Sequence, residues 1–180
     1  MNNSITEFHL CLENIERELA QLGWDQAPAL FALVNNQWLL ESIPDSDDTP
    51  SEDRQLRESL LDNPGAMTAV LQDSHEDMEI EELINLIVFP EHVVGAALSI
   101  ERIVVPPSVS DQAPDDPEKR DDFLMNHPQR DDIRVVAGVL RSGEKWCVIR
   151  SRSYDKDAAI ITGDDLIDDL PELLMRTLTP

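Results

Sequence analysis

The stretch from Asp132 to Ser153 constrains this chain more than any other. Ile133-Arg134-Val135-Val136-Ala137-Gly138-Val139-Leu140 and Glu144-Lys145-Trp146-Cys147-Val148-Ile149-Arg150 are two runs rich in β-formers, and Arg141-Ser142-Gly143 separates them. Two such runs around a short polar break with glycine read as a β-hairpin. A three-residue loop, Arg141 to Gly143, is preferred to the two-residue alternative Ser142-Gly143. A type I turn followed by a residue with φ > 0 suits glycine, which has no Cβ to clash. That register pairs Leu140 with Glu144, Gly138 with Trp146, Val136 with Val148 and Arg134 with Arg150. One face then carries Ile133, Val135, Ala137, Val139, Cys147 and Ile149. The other carries Val136, Gly138, Leu140, Trp146 and Val148, with Arg134, Arg150 and Arg152 at one end. Both faces are apolar near the turn, so the hairpin belongs in the middle of a sheet covered on both sides. A one-residue slip would exchange the faces and leave that inference standing.

The flanking segments supply the cover. Ser4-x-x-Glu7 reads as a capping box. Behind it Ile5, Phe8, Leu12, Ile15, Leu19 and Leu22 form one apolar stripe on a helix that Gly23 stops. Ala29 to Val34 is apolar throughout and reads as a buried strand. Gln37 to Ile43 suggests a short helix, and Asp45 to Asp48 an acidic loop. Thr49-Pro50-x-Glu52 suggests a second capping box, opening a helix that ends near Asn63, before a possible edge strand over Ala66 to Leu71. Ser74-x-x-Asp77 is a candidate cap for a helix whose buried face is Ile80, Leu83, Ile84, Ile87 and Val88, with Pro90 as its stop. Val94 to Val105 reads as a long strand. Gly95, Ala96 and Ala97 narrow its first half for a close-packed helix, and Glu101 and Arg102 point to opposite faces. Ala158 to Thr162 suggests a short strand. A last helix has Pro171 in its first turn and Leu170, Leu173, Leu174 and Leu178 inward.

Strands joined by a hairpin or by long irregular links, without regular strand–helix alternation, point to an α+β fold. Its expected form is a mainly antiparallel central sheet with the N- and C-terminal helices packed on its faces. A length of 180 residues fits a single domain over 1–180. Residues 108–130 are polar, acidic and proline-containing, and are the segment expected to form a mobile loop, with a helical turn at Phe123-Leu124-Met125.

A formal net charge of −23 disfavours nucleic acid, whose phosphates it repels. No apolar targeting segment follows the start, and no run reaches the roughly 20 apolar residues of a membrane span. Cys11 and Cys147 fall on a helix and a central strand and read as reduced, buried thiols of a cytoplasmic protein. Metal is not expected: the histidines and cysteines lack zinc spacing, His75-Glu76 lacks the second histidine of a zincin, and Asp45-x-Asp47-x-Thr49 lacks the glycine and the glutamate of a calcium loop. Phosphate-binding glycine loops and a nucleophile elbow are missing, so no cofactor and no catalytic residue are assigned. Cys147 suits a core position better than a nucleophile's, and His127 reads as a loop-entry histidine near carboxylates.

Three stretches together resemble a known family. They are Gly23-Trp24-Asp25-Gln26-Ala27-Pro28-Ala29-Leu30-Phe31-Ala32-Leu33-Val34, Gly95-Ala96-Ala97-Leu98-Ser99-Ile100-Glu101-Arg102 leading into Pro106-Pro107, and Trp146-Cys147 followed by Arg150. The family comprises uncharacterised, acidic actinobacterial proteins of about this length. The resemblance implies a bacterial, cytoplasmic, single-domain protein and brings no activity.

One asymmetry remains. Seven of the 14 Lys and Arg residues lie between Arg130 and Lys156, while acids dominate elsewhere. Arg134 opposite Arg150 destabilises a sheet unless an anion lies beside the pair. That anion is either an internal carboxylate, from the acidic helix, Glu101 or the 108–130 segment, or an external ligand bound by Arg134, Arg150 and Arg152 beside Trp146. The functional expectation is a non-enzymatic interaction module, adaptor-like or chaperone-like, whose acidic surface steers it to a basic protein partner. The alternative is a small-anion binder or enzyme built on the arginines.

Overall fold

The computed structural model describes residues 3–72, 79–167 and 169–179. In chain order they form α1 (Asn3–Leu22), β1 (Ala29–Asn35), α2 (Asn36–Ser42), α3 (Ser51–Asp62), β2 (Met67–Leu71), α4 (Ile80–Leu86) and β3 (Val93–Val104). There follow α5 (Pro107–Ser110), α6 (Pro117–Met125), β4 (Asp131–Leu140), β5 (Lys145–Ser151), β6 (Ile161–Gly163) and α7 (Asp169–Leu178). The strands make one sheet in the order β2-β1-β3-β4-β5-β6, and every neighbouring pair is antiparallel. This is the α+β arrangement that the hydrophobic patterning predicts.

The β4–β5 hairpin has the three-residue loop. Gly143 adopts φ 101°, its amide donates to the Leu140 carbonyl at 2.9 Å, and the Leu140 amide donates to the Glu144 carbonyl at 2.8 Å. Arg134 pairs with Arg150, Val136 with Val148 and Gly138 with Trp146. With β3 on one side and β6 on the other, the hairpin lies inside the sheet. Its faces separate as the alternation requires. Val135, Ala137, Val139 and Cys147 pack with Leu83 and Ile84 of α4 and Leu170, Leu174 and Leu178 of α7. Val136, Leu140 and Val148 pack with Phe8, Cys11, Leu12 and Ile15 of α1.

The α1 stripe meets the sheet where the sheet has no side chain. A Cβ on Gly138 would lie 2.8 Å from Leu12 and 3.1 Å from Phe8, so glycine lets the helix come down onto β4. Phe8 and Leu12 are fully buried there, which stabilises the contact by roughly 1.5–3 kcal/mol for each side chain. A helix also packs over the small residues of β3, where Ala96 is buried with Leu170, Leu174 and Leu178 of α7. Gly95 sits opposite Leu140, and a Cβ on it would meet the Val139 carbonyl at 2.7 Å and Leu140 at 2.8 Å, so it accommodates the neighbouring strand.

Local boundaries differ from the sequence reading where tertiary contacts override local ones. Asn3 and Ser4 are already helical, so Ser4 does not cap α1, and packing of Phe8 and Leu12 holds that end instead. Thr49 does not cap α3. Its hydroxyl donates to the Pro44 carbonyl at 2.8 Å, closing the acidic loop, and Pro50 takes the N-cap position. α4 ends at Leu86, because the chain then extends for the Phe89 amide to reach the Thr177 carbonyl of α7 at 2.7 Å; Val88 is exposed. The proposed cap Ser74-x-x-Asp77 lies outside the described residues. Residues 108–130 are not loop throughout: they include α6 and all but the first residue of α5, and Asp116 caps α6 by accepting from the Lys119 amide at 3.1 Å. A 3-10 turn, Asp157–Ala159, occupies the start of the predicted last strand, which moves to Ile161–Gly163.

Candidate functional site

Arg134 and Arg150 stand side by side at the open end of the hairpin, on the α1 face. They are 1% and 3% exposed, so their charges must be met inside the protein. The carboxylate that meets them first is Glu16 of α1, which is fully buried. Arg150 grips it with two parallel bonds, Nε to Oε1 at 2.6 Å and Nη2 to Oε2 at 2.9 Å. This fork-to-fork geometry is the strongest that a guanidinium and a carboxylate make. Arg150 also donates to Asp155 at 3.1 Å and Asp157 at 2.7 Å, both from the turn after β5. The hydrogen bonds to Glu16, helped by Asp157 and Asp155, push the Arg150 guanidinium further toward its charged form against the cost of burial.

Arg134 reaches the other way. Its Nη2 donates to Glu101 of β3 at 2.9 Å and to the Gly23 carbonyl, and its Nη1 lies 3.8 Å from Glu16. Among the described residues its Nε and Nη1 have no hydrogen-bond partner. The Trp24 ring lies against it, with the guanidinium carbon 4.7 Å from the ring centroid. Arg152 lies 5.6 Å from the same ring and holds Asp25 by two bonds of 3.0 and 3.1 Å. The hydrogen bonds and charge of Arg152 hold the Asp25 carboxyl below its usual range.

The turn after α1 organises these contacts. Gly23 ends the helix at φ 91° and Asp25 follows at φ 65°, a left-handed conformation that an aspartate tolerates better than most residues. This geometry presents the Asp25 amide to Glu101 at 2.8 Å and the Trp24 indole N–H to Asp155 at 2.9 Å. The indole hydrogen bond first, then Arg150, lowers the Asp155 carboxyl.

The three arginines of the sequence reading are thus brought together, but Trp146 is not with them. It lies four register pairs nearer the turn, stacked on His9 with centroids 3.8 Å apart and planes 12° apart. Trp24 is the aromatic partner of the arginines. Of the carboxylate sources considered, Glu101 takes part; the 108–130 segment and α4 supply none among the described contacts. The principal counter-charge, Glu16, carries one sequence signal: its spacing from Phe8 and Leu12 (i, i+4, i+8) puts it on the face of α1 that meets the sheet. Three guanidinium groups make ion pairs with six carboxylates: Glu16, Asp25, Glu101, Asp132, Asp155 and Asp157. The cluster carries an excess of negative charge and binds the first helix, its following turn, three strands and the β5–β6 connection into one unit.

Elsewhere the described residues offer no group of histidine, cysteine and carboxylate side chains suited to a metal ion, and no helix long and apolar enough to cross a membrane. Cys11 and Cys147 are buried and are not joined in a disulfide. The Nδ1 of His127 accepts the Gln129 amide at 3.1 Å, a local turn contact.

Fold and cluster together define an α+β protein with a two-faced antiparallel sheet and a buried arginine–carboxylate knot at one end of it. A family model for PPA1309-like proteins matches residues 9–179, and the chain belongs to that family. No curated protein and no solved structure matches the chain.

Proposed function

We propose that this protein is a non-enzymatic interaction module that engages a basic protein partner through its acidic surface. The observation that supports this reading is the direction in which four of its arginines point. Arg134 and Arg150 face carboxylates inside the fold. Arg141 directs its guanidinium to the carbonyls of Phe89, Pro90, Val93 and Leu178, and Arg57 to those of Leu40 and Ile43. Meanwhile Glu52 and Asp53 of α3, Glu81 and Glu82 of α4 and Asp121 and Asp122 of α6 are exposed. These four guanidinium groups are turned to internal partners, and with a net charge of −23 the surface is predominantly negative, a distribution that speeds encounter with a basic partner and repels acidic ones. An anion site on the three arginines is the weaker reading, since a ligand there would have to displace carboxylates already in place. The proposal takes the chain as a cytoplasmic, actinobacterial protein, in keeping with the resemblance of its Gly23–Val34 stretch.

The test is retention from lysate on the immobilised protein against an acidic control of equal charge, at low and then moderate salt. A basic protein held above the control and released by salt is expected. Retention no greater than on the control would remove the support for the reading.

A further inference from the structure

The two edges of the sheet are built differently. β6 is three residues long, follows a 3-10 turn and runs into Asp164-Asp165. β2, at the other edge, is Met67-Thr68-Ala69-Val70-Leu71, with no charge, proline or glycine. Natural edges are usually guarded by charges, proline or bulges, because a bare edge recruits another strand. Here a chain that is 28% charged leaves its longer edge bare.

The ladder to β1 shows which groups the edge offers. Asn36 donates to the Ala66 carbonyl and Gln72 to the Leu30 carbonyl, so the even-numbered residues of β2 bond to β1. By the alternation of an antiparallel pair, the N–H and C=O of Met67, Ala69 and Leu71 point away from the sheet. Among the described residues no strand pairs with them. The side chains of Met67 and Ala69 lie on the α1 face, where Cys11, Asn14, Ile15 and Glu18 of α1 wall a groove of about 200 Å³ along the edge. Leu71, on the same face by alternation, is 60% exposed.

We infer that the outer edge of β2 and the groove beneath α1 receive an extended segment of the basic partner, which adds to the sheet as a seventh strand. The inference rests on the proposed function and names where that partner docks. An edge strand flanked by a helix is the arrangement by which peptides are bound through strand addition, with main-chain bonds giving affinity and alternate side chains giving specificity. Charge selects the occupant. Glu18 stands in the groove wall, and burial together with the negative field of Glu18 pushes the Cys11 thiol up to about 12. A lysine or arginine of the added strand completes Glu18, while apolar residues alternating with it cover Met67 and Leu71. A second copy of the chain would bring its own charge of −23 against the first, which disfavours self-pairing.

The experiment uses two capped peptides of equal charge. One alternates lysine and valine over six residues; in the other a central valine is proline, which cannot sustain a strand. Each is titrated into the full chain labelled for amide NMR at low salt. The alternating peptide is expected to bind and to slow hydrogen exchange at Met67, Ala69 and Leu71, and the proline peptide to bind more weakly. Ala69→Pro removes only an outward N–H, so it leaves the ladder to β1 whole, and is expected to weaken the alternating peptide about tenfold. Leu71→Lys, at an exposed position, serves as a second variant with the same expected direction. Equal binding of both peptides, unchanged by either variant, would overturn strand addition while leaving an acidic binding surface. No binding of either peptide would overturn both proposals. A dimer in sedimentation that either variant dissolves would assign the edge to a second copy and overturn the partner named here.

Discussion

The hairpin meets α1 twice, by opposite means. Near its turn, Gly138 withdraws its side chain so that Phe8 and Leu12 can fill the space. At its open end, Arg134 and Arg150 push two long cations toward the same helix, which answers with Glu16. One contact depends on volume and tolerates no added atom. The other depends on charge and tolerates no missing one. Apolar packing holds a helix at a distance but fixes its position along the sheet only loosely; a bidentate pair fixes it to within a hydrogen-bond length. Buried ion pairs add little net stability compared with apolar replacements, so fixing the register of α1 is the more telling role for Glu16.

The comparison can be broken most severely at the charged end. Glu16→Ala leaves two buried guanidinium groups short of their central carboxylate and is expected to cost about 3–5 kcal/mol in urea unfolding. A loss near zero would mean that the charged end does not hold the helix. Gly138→Ala is expected to cost about 1–3 kcal/mol, since Leu12 and Phe8 must give way to the new methyl group. If that variant is as stable as the parent, the volume argument fails.

Trp24→Phe sharpens the picture at the cluster's rim. It keeps a ring over Arg134 but loses the bond to Asp155, at about 0.5–1.5 kcal/mol. The Asp155 carboxyl is depressed in the folded state, so its contribution is present above the ordinary aspartate range and is lost as pH falls from there through its lower folded-state value. The gap between Trp24→Phe and the parent should therefore narrow below about pH 4 in acid titrations of stability. A gap that stays constant would assign the effect to ring packing alone. The smallest effect is expected from Asp25→Asn, which is exposed. It should alter the salt dependence of stability more than stability itself, because exposed pairs are screened.

How much of this was legible follows from the range of each interaction. The hairpin register, both of its faces and the placement of Glu101 and Arg102 on opposite sides all come from a period of two and one glycine, which are local signals. The pairing of Glu16 with Arg150 spans 134 positions and that of Trp24 with Asp155 spans 131, and no periodicity encodes either. The arginine pair announced that an anion was required without saying which. Trp146 misled because strand alternation puts it on the arginine face; its distance along the strand counts for more. The caps at Ser4 and Thr49 misled because a helix end obeys the strongest available contact, and in both places that contact is tertiary or belongs to the preceding loop.

The clamp formed by Arg141 has a consequence for how the chain comes into being. Its guanidinium gathers carbonyls on both sides of β3's start and the one at the end of α7, the last helix in chain order. During vectorial synthesis α1 and the strands emerge ahead of α7, so the part of the opposite apolar face that Leu170, Leu174 and Leu178 cover is closed after the part under α4. A chain stopped ahead of Asp169 would leave the α7 part of that face bare, and should behave as a chaperone client instead of a slightly shorter native protein.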